Sequence, residues 1–177
     1  KVSIGASGPA MRVFVSKSKS KYRISKKIND QLSFEKKWGI TKKNKYIEFS
    51  NSVKLHKISF LNLIQKLIRQ DNNIGIFSAP AKGNTFLNFI KLSNEKIKFV
   101  SENNLKKIGK LTPGTHFKII TDKQFISKKI DFAILLSWNY KNFFIKNSLF
   151  SKYGKGFVIP FPKPKKIYFK KWVKLIL

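Results

Sequence analysis

The spacing of apolar positions changes character partway along the chain. Residues 8 to 15 alternate, with Met11, Val13 and Val15 on one side and Arg12 and Phe14 on the other, as a strand requires. Residues 16 to 27 are rich in Ser and Lys and read as a solvated linker. It runs into a helix at about 25 to 38, where Ile28, Leu32 and Phe34 or Glu35 fall at helical spacing. Asn51 or Ser52 is placed to cap a stronger helix reaching Gln70, whose apolar face holds Leu55, Ile58, Leu61, Leu63, Ile64, Leu67 and Ile68. From Ile74 onward, short apolar runs alternate with helical ones. Strands are expected at 74–78, 97–101, 131–136 and 156–160, and helices at 84–91, 122–128 and 140–150. The tail from 165 to 177 is expected to end the fold as a helix or strand. Such alternation predicts the α/β class, with a parallel sheet, right-handed crossovers and a ligand crevice beyond the carboxyl ends of the strands. The loops at 78–85 and 102–116 and the turn at 137–140 are all assigned to that edge.

Composition narrows the chemistry more than the fold. With 177 residues the chain can bury one sizeable core. It has no Cys and only two His, His56 and His116, which removes disulfides, thiolate catalysis and the usual metal sites. No apolar run approaches the roughly 18 residues of a membrane span, and no signal-like segment opens the chain, so a cytoplasmic protein with no membrane partner is expected. The chain begins with Lys1, which fits a processed product or a piece of something longer. The formal net charge is +30, enough to attract nucleic acid non-specifically at low salt. Yet only Arg12, Arg23 and Arg69 of the 38 basic residues are Arg, the residue whose planar fork favours base and phosphate recognition. A field of this sign also draws in small anions such as a nucleotide diphosphate.

One segment carries specific chemistry. Ser78-Ala79-Pro80-Ala81-Lys82-Gly83-Asn84-Thr85 follows an apolar strand and opens into a helix. A strand, a small-residue turn and a helix N-terminus form an anion-binding corner, because free amides and the positive end of the helix dipole point at one spot. Lys82 is placed to meet a phosphate, and Asn84 or Thr85 to orient a ligand or cap the helix; Gly83 relieves backbone crowding. Further along stand Lys107-Ile108-Gly109-Lys110, Pro113-Gly114-Thr115-His116, Ser137-Trp138-Asn139-Tyr140 and Phe157-Val158-Ile159-Pro160-Phe161-Pro162. Trp138 could stack on a base or sugar or close the core, and Asn139 could bond a hydroxyl or cap the next helix. Glu102, at a strand end, could grip a ribose hydroxyl or pair with Lys106 or Lys107. His116 reads as a structural hydrogen-bonder rather than a catalyst, and His56 as a surface or core residue.

In this order the patches resemble the C-terminal domain of the sugar C-methyltransferases, over residues from about Gly8 to Pro162. That family carries a Gly-Ala-Pro-Ala-Lys-Gly-Asn-Thr loop after its first strand, a Pro-Gly-Thr turn, a Trp-Asn-aromatic turn and a closing Phe-Ile-Val-Pro-x-Pro strand. Its His-Gly-Gly-Ser-Leu-Arg-Val-Tyr-Val strand is similar to Gly8-Pro9-Ala10-Met11-Arg12-Val13-Phe14-Val15. Departures stand at Ser78 for the loop Gly, Glu102 for Asp, Ile108 for Gln, and Phe143 where an acidic residue is usual.

The resemblance implies a Rossmann-like domain that helps to hold a nucleotide-linked deoxysugar, a dTDP-sugar, with Lys82, Gly83, Asn84, Thr85, Glu102, His116, Trp138 and Asn139 as substrate-binding residues. It implies S-adenosylmethionine for the complete enzyme but neither that cofactor, nor a metal, nor a catalytic residue in this chain, which lacks the family's zinc-binding cysteines, acidic Gly-rich loop and Tyr-His-Glu-His segment. A separate methyl-donor domain or chain is the implied partner. The organisation expected is a remnant strand of that missing domain at 1–16, a helical arm at 17–72, the Rossmann-like domain at 73–164 and a tail at 165–177. Two other classes stay open at this point, a basic nucleic-acid-binding module and a scaffold domain that has lost its ligand.

Overall fold

A computed structural model describes residues 2–5, 8–93 and 95–170. The chain forms two compact units, Lys1–Leu55 and His56–Leu177.

In the first unit, β1 (Val2–Gly5) and β2 (Gly8–Met11) pair antiparallel, with Val2 opposite Met11 and Gly5 opposite Gly8. The strand expected at 8–15 is thus shorter, and one of its edges is paired by the residues before it. Helix α1 (Lys26–Trp38) starts at Ser25, whose hydroxyl accepts from the Lys27 amide. It ends at Gly39, whose φ of 90° suits a residue without a side chain and whose N–H bonds the Glu35 and Lys36 carbonyls. Helix α2 (Lys43–Arg69) begins well before Asn51 and Ser52, so neither caps it; the Ser52 hydroxyl instead donates to the Glu48 carbonyl one turn back.

The second unit takes the C-terminal part of α2 into its core. Phe60, Ile64 and Leu67 are buried, whereas Leu55 and Ile58, expected on the same face, are 66% and 54% exposed. Six strands follow in the spatial order β5-β4-β3-β6-β7-β8. They are β3 (Ile74–Phe77), β4 (Phe99–Ser101), β5 (Lys118–Ile120), β6 (Phe132–Leu135), β7 (Gly156–Ile159) and β8 (Lys165–Tyr168). The first five run parallel, as the pattern predicted, and β8 returns antiparallel against β7. Strand β5 was not anticipated, because three residues inside a long polar stretch carry too little periodicity to register. The final residues 171–177, including Trp172, Val173 and Ile176 of the expected tail, lie outside the described residues.

Alternate strand residues serve two cores. Ile74, Ile76, Phe132, Ile134 and Val158 face one side, with α2 and helix α3 (Ala81–Ile90); Phe77, Ala133, Leu135, Phe157 and Ile159 face the other. On that second side lie helix α4 (Asp122–Ser127), capped by a Thr121–Gln124 capping box, and helix α5 (Lys141–Asn147). Phe125 lies so close beneath Gly75 that a Cβ there would sit 2.4 Å from its ring. Each fully buried Leu, Ile or Phe contributes roughly 1.5–3 kcal/mol.

The sheet order places β3 and β6 side by side while their crossovers leave in opposite directions, which opens the crevice such sheets use for ligands. Two features shape its mouth. Ser78, directly after β3, holds a left-handed φ of 67°, and its hydroxyl meets that of Ser137, directly after β6, at 2.8 Å. Gly83 lets α3 seat against β6, since a Cβ there would stand 2.6 Å from that of Leu136. The Ser78 conformation explains why a glycine is at home in this loop, and it has a measurable cost. Ser78→Gly is expected to be about 1 kcal/mol more stable than Ser78→Ala in urea unfolding, because both lose the Ser137 bond and only glycine relaxes the left-handed backbone. Equal stabilities would show that φ at this position is unstrained.

Candidate functional site

The crevice is built at the carboxyl ends of β3, β6 and β7. Helix α3 starts at Ala81, three residues earlier than its periodicity suggested, and Pro80 occupies the cap position with no side chain to offer. Its first intrahelical bond runs from the Asn84 amide to the Pro80 carbonyl, leaving the amides of Ala81, Lys82 and Gly83 without an intrahelical acceptor. Asn84 and Thr85 therefore lie inside the helix and do not cap it. The Thr85 hydroxyl donates back to the Ala81 carbonyl, and the Asn84 side-chain oxygen is buried with no hydrogen-bond partner.

Lys82 stands over the Trp138 ring, its ammonium 4.6 Å from the ring centre. Trp138 lies in a 3₁₀ turn after β6 and is partly exposed, so it neither seals the core nor stands free of it. Its neighbours are Phe161 at 4.8 Å and Phe86 at 6.5 Å between ring centres. His56 of α2 stacks on Phe161 at 4.5 Å. The result is an aromatic wall beside an uncapped helix start, with one lysine between them. Asn139 follows at the exposed side of the same turn.

Phe161, Phe86 and His56 were not among the residues expected here. Phe161 could have been found from its place just past a strand's carboxyl end. His56 could have been found from helical phase, since it precedes the buried Phe60 by four residues on α2. Burial lowers the His56 pKa below its ordinary 6.5, and its Nε2 has no hydrogen-bond partner, so the site favours the neutral imidazole.

Glu102 serves the architecture of this edge. One carboxylate oxygen accepts from the Ala79 amide at 3.0 Å, the other from the amides of Asn103 and Asn104. Lys107 pairs with it at 3.5 Å and donates to the Ala79 carbonyl. Glu102 thus makes the pairing with Lys107 that was one of the two roles open to it, and it ties the loop after β3 to the loop after β4.

His116 lies elsewhere. Because residues 118–120 form β5, the stretch after Glu102 is a crossover that descends to the amino edge, and His116 sits there rather than at the crevice. It is exposed, with φ 55°. The adjoining turn packs on the far end of α3, where Asn88 donates to the Pro113 carbonyl and a Cβ on Gly114 would stand 2.0 Å from the Asn88 side-chain oxygen. A separate cleft of about 490 Å³ also opens at the amino edge, between Asn72, Lys96, Lys98 and Lys128. It lies away from the aromatic wall, and we assign the site by the convergence of amides, lysine and rings rather than by cavity size. Among the described residues, no three or more His, Cys, Asp or Glu side chains stand together to hold a metal.

The neutral His56 gives the site a pH signature. Its folded pKa is lowered, so below pH 6.5 the unfolded chain takes up a proton that the folded chain refuses, and stability falls as pH drops through that range. Urea midpoints are expected to fall between pH 7.5 and 5.5 in the parent chain and to fall less in His56→Phe. An identical pH dependence in the two would remove His56 as its source.

Residues 5–162 match the C-methyltransferase C-terminal domain family. Among characterised proteins, C-methyltransferase NovU of Streptomyces niveus is 26% identical over 161 residues, which cover 90% of this chain and 38% of NovU. The chain thus spans little more than a third of that relative's length. The match takes in the loop after β3, the turn after β6 and the strand leading to Phe161, so the features that build the crevice fall inside it. This chain belongs to the C-methyltransferase C-terminal domain family.

Proposed function

We propose that the chain is the nucleotide-sugar-binding part of an S-adenosylmethionine-dependent C-methyltransferase, and that the methyl donor is held by a separate domain or chain. The observation that carries this reading is the uncapped start of α3, with Lys82 between its free amides and the Trp138–Phe161 wall. A diphosphate needs donors and positive charge, a base or sugar ring needs an apolar face, and both lie side by side at the switch point of the sheet. A dTDP-deoxysugar has both parts. Lys82, Gly83, Asn84, Thr85, Trp138 and Asn139 are the residues assigned to it, with Phe161 added; His116 is left out by its place at the amino edge, and Glu102 acts by fixing the loop that carries Ala79.

S-adenosylmethionine does not fit this crevice. The acidic residue that would take its ribose hydroxyls, Glu102, already accepts from three backbone amides, and Lys82 would oppose the sulfonium charge. The cofactor belongs to the complete enzyme, where it supplies the methyl group; this chain binds and orients the acceptor. The segments 1–16 and 17–72 are read as the strand and arm that join the binding domain to the donor part.

Calorimetric titration at physiological salt tests the assignment with dTDP and a dTDP-deoxysugar. Saturable binding is expected, weakened roughly threefold to tenfold in Lys82→Ala by loss of a charge-assisted contact and about tenfold or more in Trp138→Ala by loss of stacking. Absence of binding by the parent chain, or affinities unchanged in both variants, would reject the site.

A further inference from the structure

Two hydroxyls at the mouth of the crevice lie outside the set of residues assigned to the ligand. Ser78 follows β3 and Ser137 follows β6, just past the backbone bond from the Leu136 amide to the Phe77 carbonyl. The Ser78 hydroxyl donates to that of Ser137 at 2.8 Å. Two hydroxyls carry two protons, and this contact uses one. Among the described residues no protein group accepts the other, the proton on Ser137. Both residues are half-buried, where an unmatched donor costs more than on open surface.

The neighbours of Ser137 define what that proton faces. Leu136, before it, is the residue Gly83 seats against; Trp138, after it, carries the Lys82 ammonium 4.6 Å from its ring centre. Ser137 therefore lies between two contacts with the first turn of α3, whose Ala81, Lys82 and Gly83 amides have no intrahelical acceptor. Three amides, an ammonium and a hydroxyl proton are all donors, and a group rich in acceptors is what meets them together. Ser78 sets the sense of the hydroxyl pair. It keeps a left-handed φ of 67° that glycine would hold without strain, and such conformations persist at ligand clamps, where the surroundings enforce them. A hydroxyl cannot donate back along a bond it accepts, so the Ser137 proton is turned away from Ser78.

We propose that Ser137 is a further binding residue, donating its hydroxyl proton to a phosphate oxygen at the start of α3, with Ser78 holding it in that sense. This contact rests on the nucleotide-sugar reading and adds to it a residue that recognises an anionic oxygen rather than the base or the deoxysugar ring.

Titration of the full chain with dTDP, and displacement of bound dTDP by inorganic pyrophosphate, test the contact at physiological salt. Ser137→Ala is expected to weaken dTDP and pyrophosphate alike, by roughly threefold to tenfold, through loss of one charge-assisted bond. Ser137→Thr keeps the hydroxyl and should stay within about twofold of the parent for both. Urea unfolding shows that each variant is folded at the temperature of titration. Parent-like dTDP affinity in Ser137→Ala overturns the proposal and leaves the two serines as a latch between β3 and β6. A loss of dTDP affinity with pyrophosphate displacement unchanged overturns it too, since the contact would then be to the base or sugar. If Lys82→Ala weakens dTDP and Ser137→Ala does not, the nucleotide-sugar reading stands and the Ser137 contact alone falls. A parent chain that binds neither dTDP nor pyrophosphate removes both.

Discussion

Helix α3 can sit at the mouth of the sheet only because Gly83 has no side chain to strike Leu136, and much of the second unit follows from that contact. A helix held off by even one methyl group would carry Lys82 away from Trp138 and move Phe86 out of the wall it shares with Phe161. The same seating fixes the far end of α3, where Asn88 catches the Pro113 carbonyl and the close fit at Gly114 leaves no room for a side chain. Both family turns therefore report on one helix from its two ends. Pro-Gly-Thr, which looks like part of a ligand site when read along the chain, is a clamp on the element that bears the site.

Electrostatics at the crevice are more selective than a net charge of +30 suggests. Lys107 is committed to Glu102 and to the Ala79 carbonyl, so it stiffens the loop and contributes little free charge. Lys82, by contrast, leans on an aromatic face, a weak contact that leaves its charge at the mouth of the crevice. One basic residue supports and the other is available, although composition alone cannot distinguish either from the remaining lysines.

Much of this could be read from the amino-acid order. The class of the fold, four of the five parallel strands and the loop from Ser78 to Thr85 were legible because buried strands leave continuous apolar runs and tight corners leave small residues. What escaped had weak local signals. Strand β5 is three residues long and is held by pairing with β4, a contact no local pattern encodes; missing it placed His116 on the wrong edge. The start of α3 was misjudged because Pro80 caps by backbone shape alone, and the start of α2 because the apolar face weakens before Phe60. Phe161 and His56 reached the site through tertiary stacking, which sequence spacing records only once the helix phase and strand end are known.

The segment between Gly109 and Leu111 runs back along β5, with Gly109 donating to Ile119, Ile119 donating to Lys110, and Leu111 bridged to Lys118. This lean-to closes the β5 side of the sheet to any incoming strand. At the other end of the six-stranded sheet, among the described residues, β8 has no strand beyond it, and Lys165 and Lys166 set like charges along that seam. Both ends of the six-stranded sheet, in a chain so rich in Phe and Ile, thus carry a feature that discourages an incoming strand.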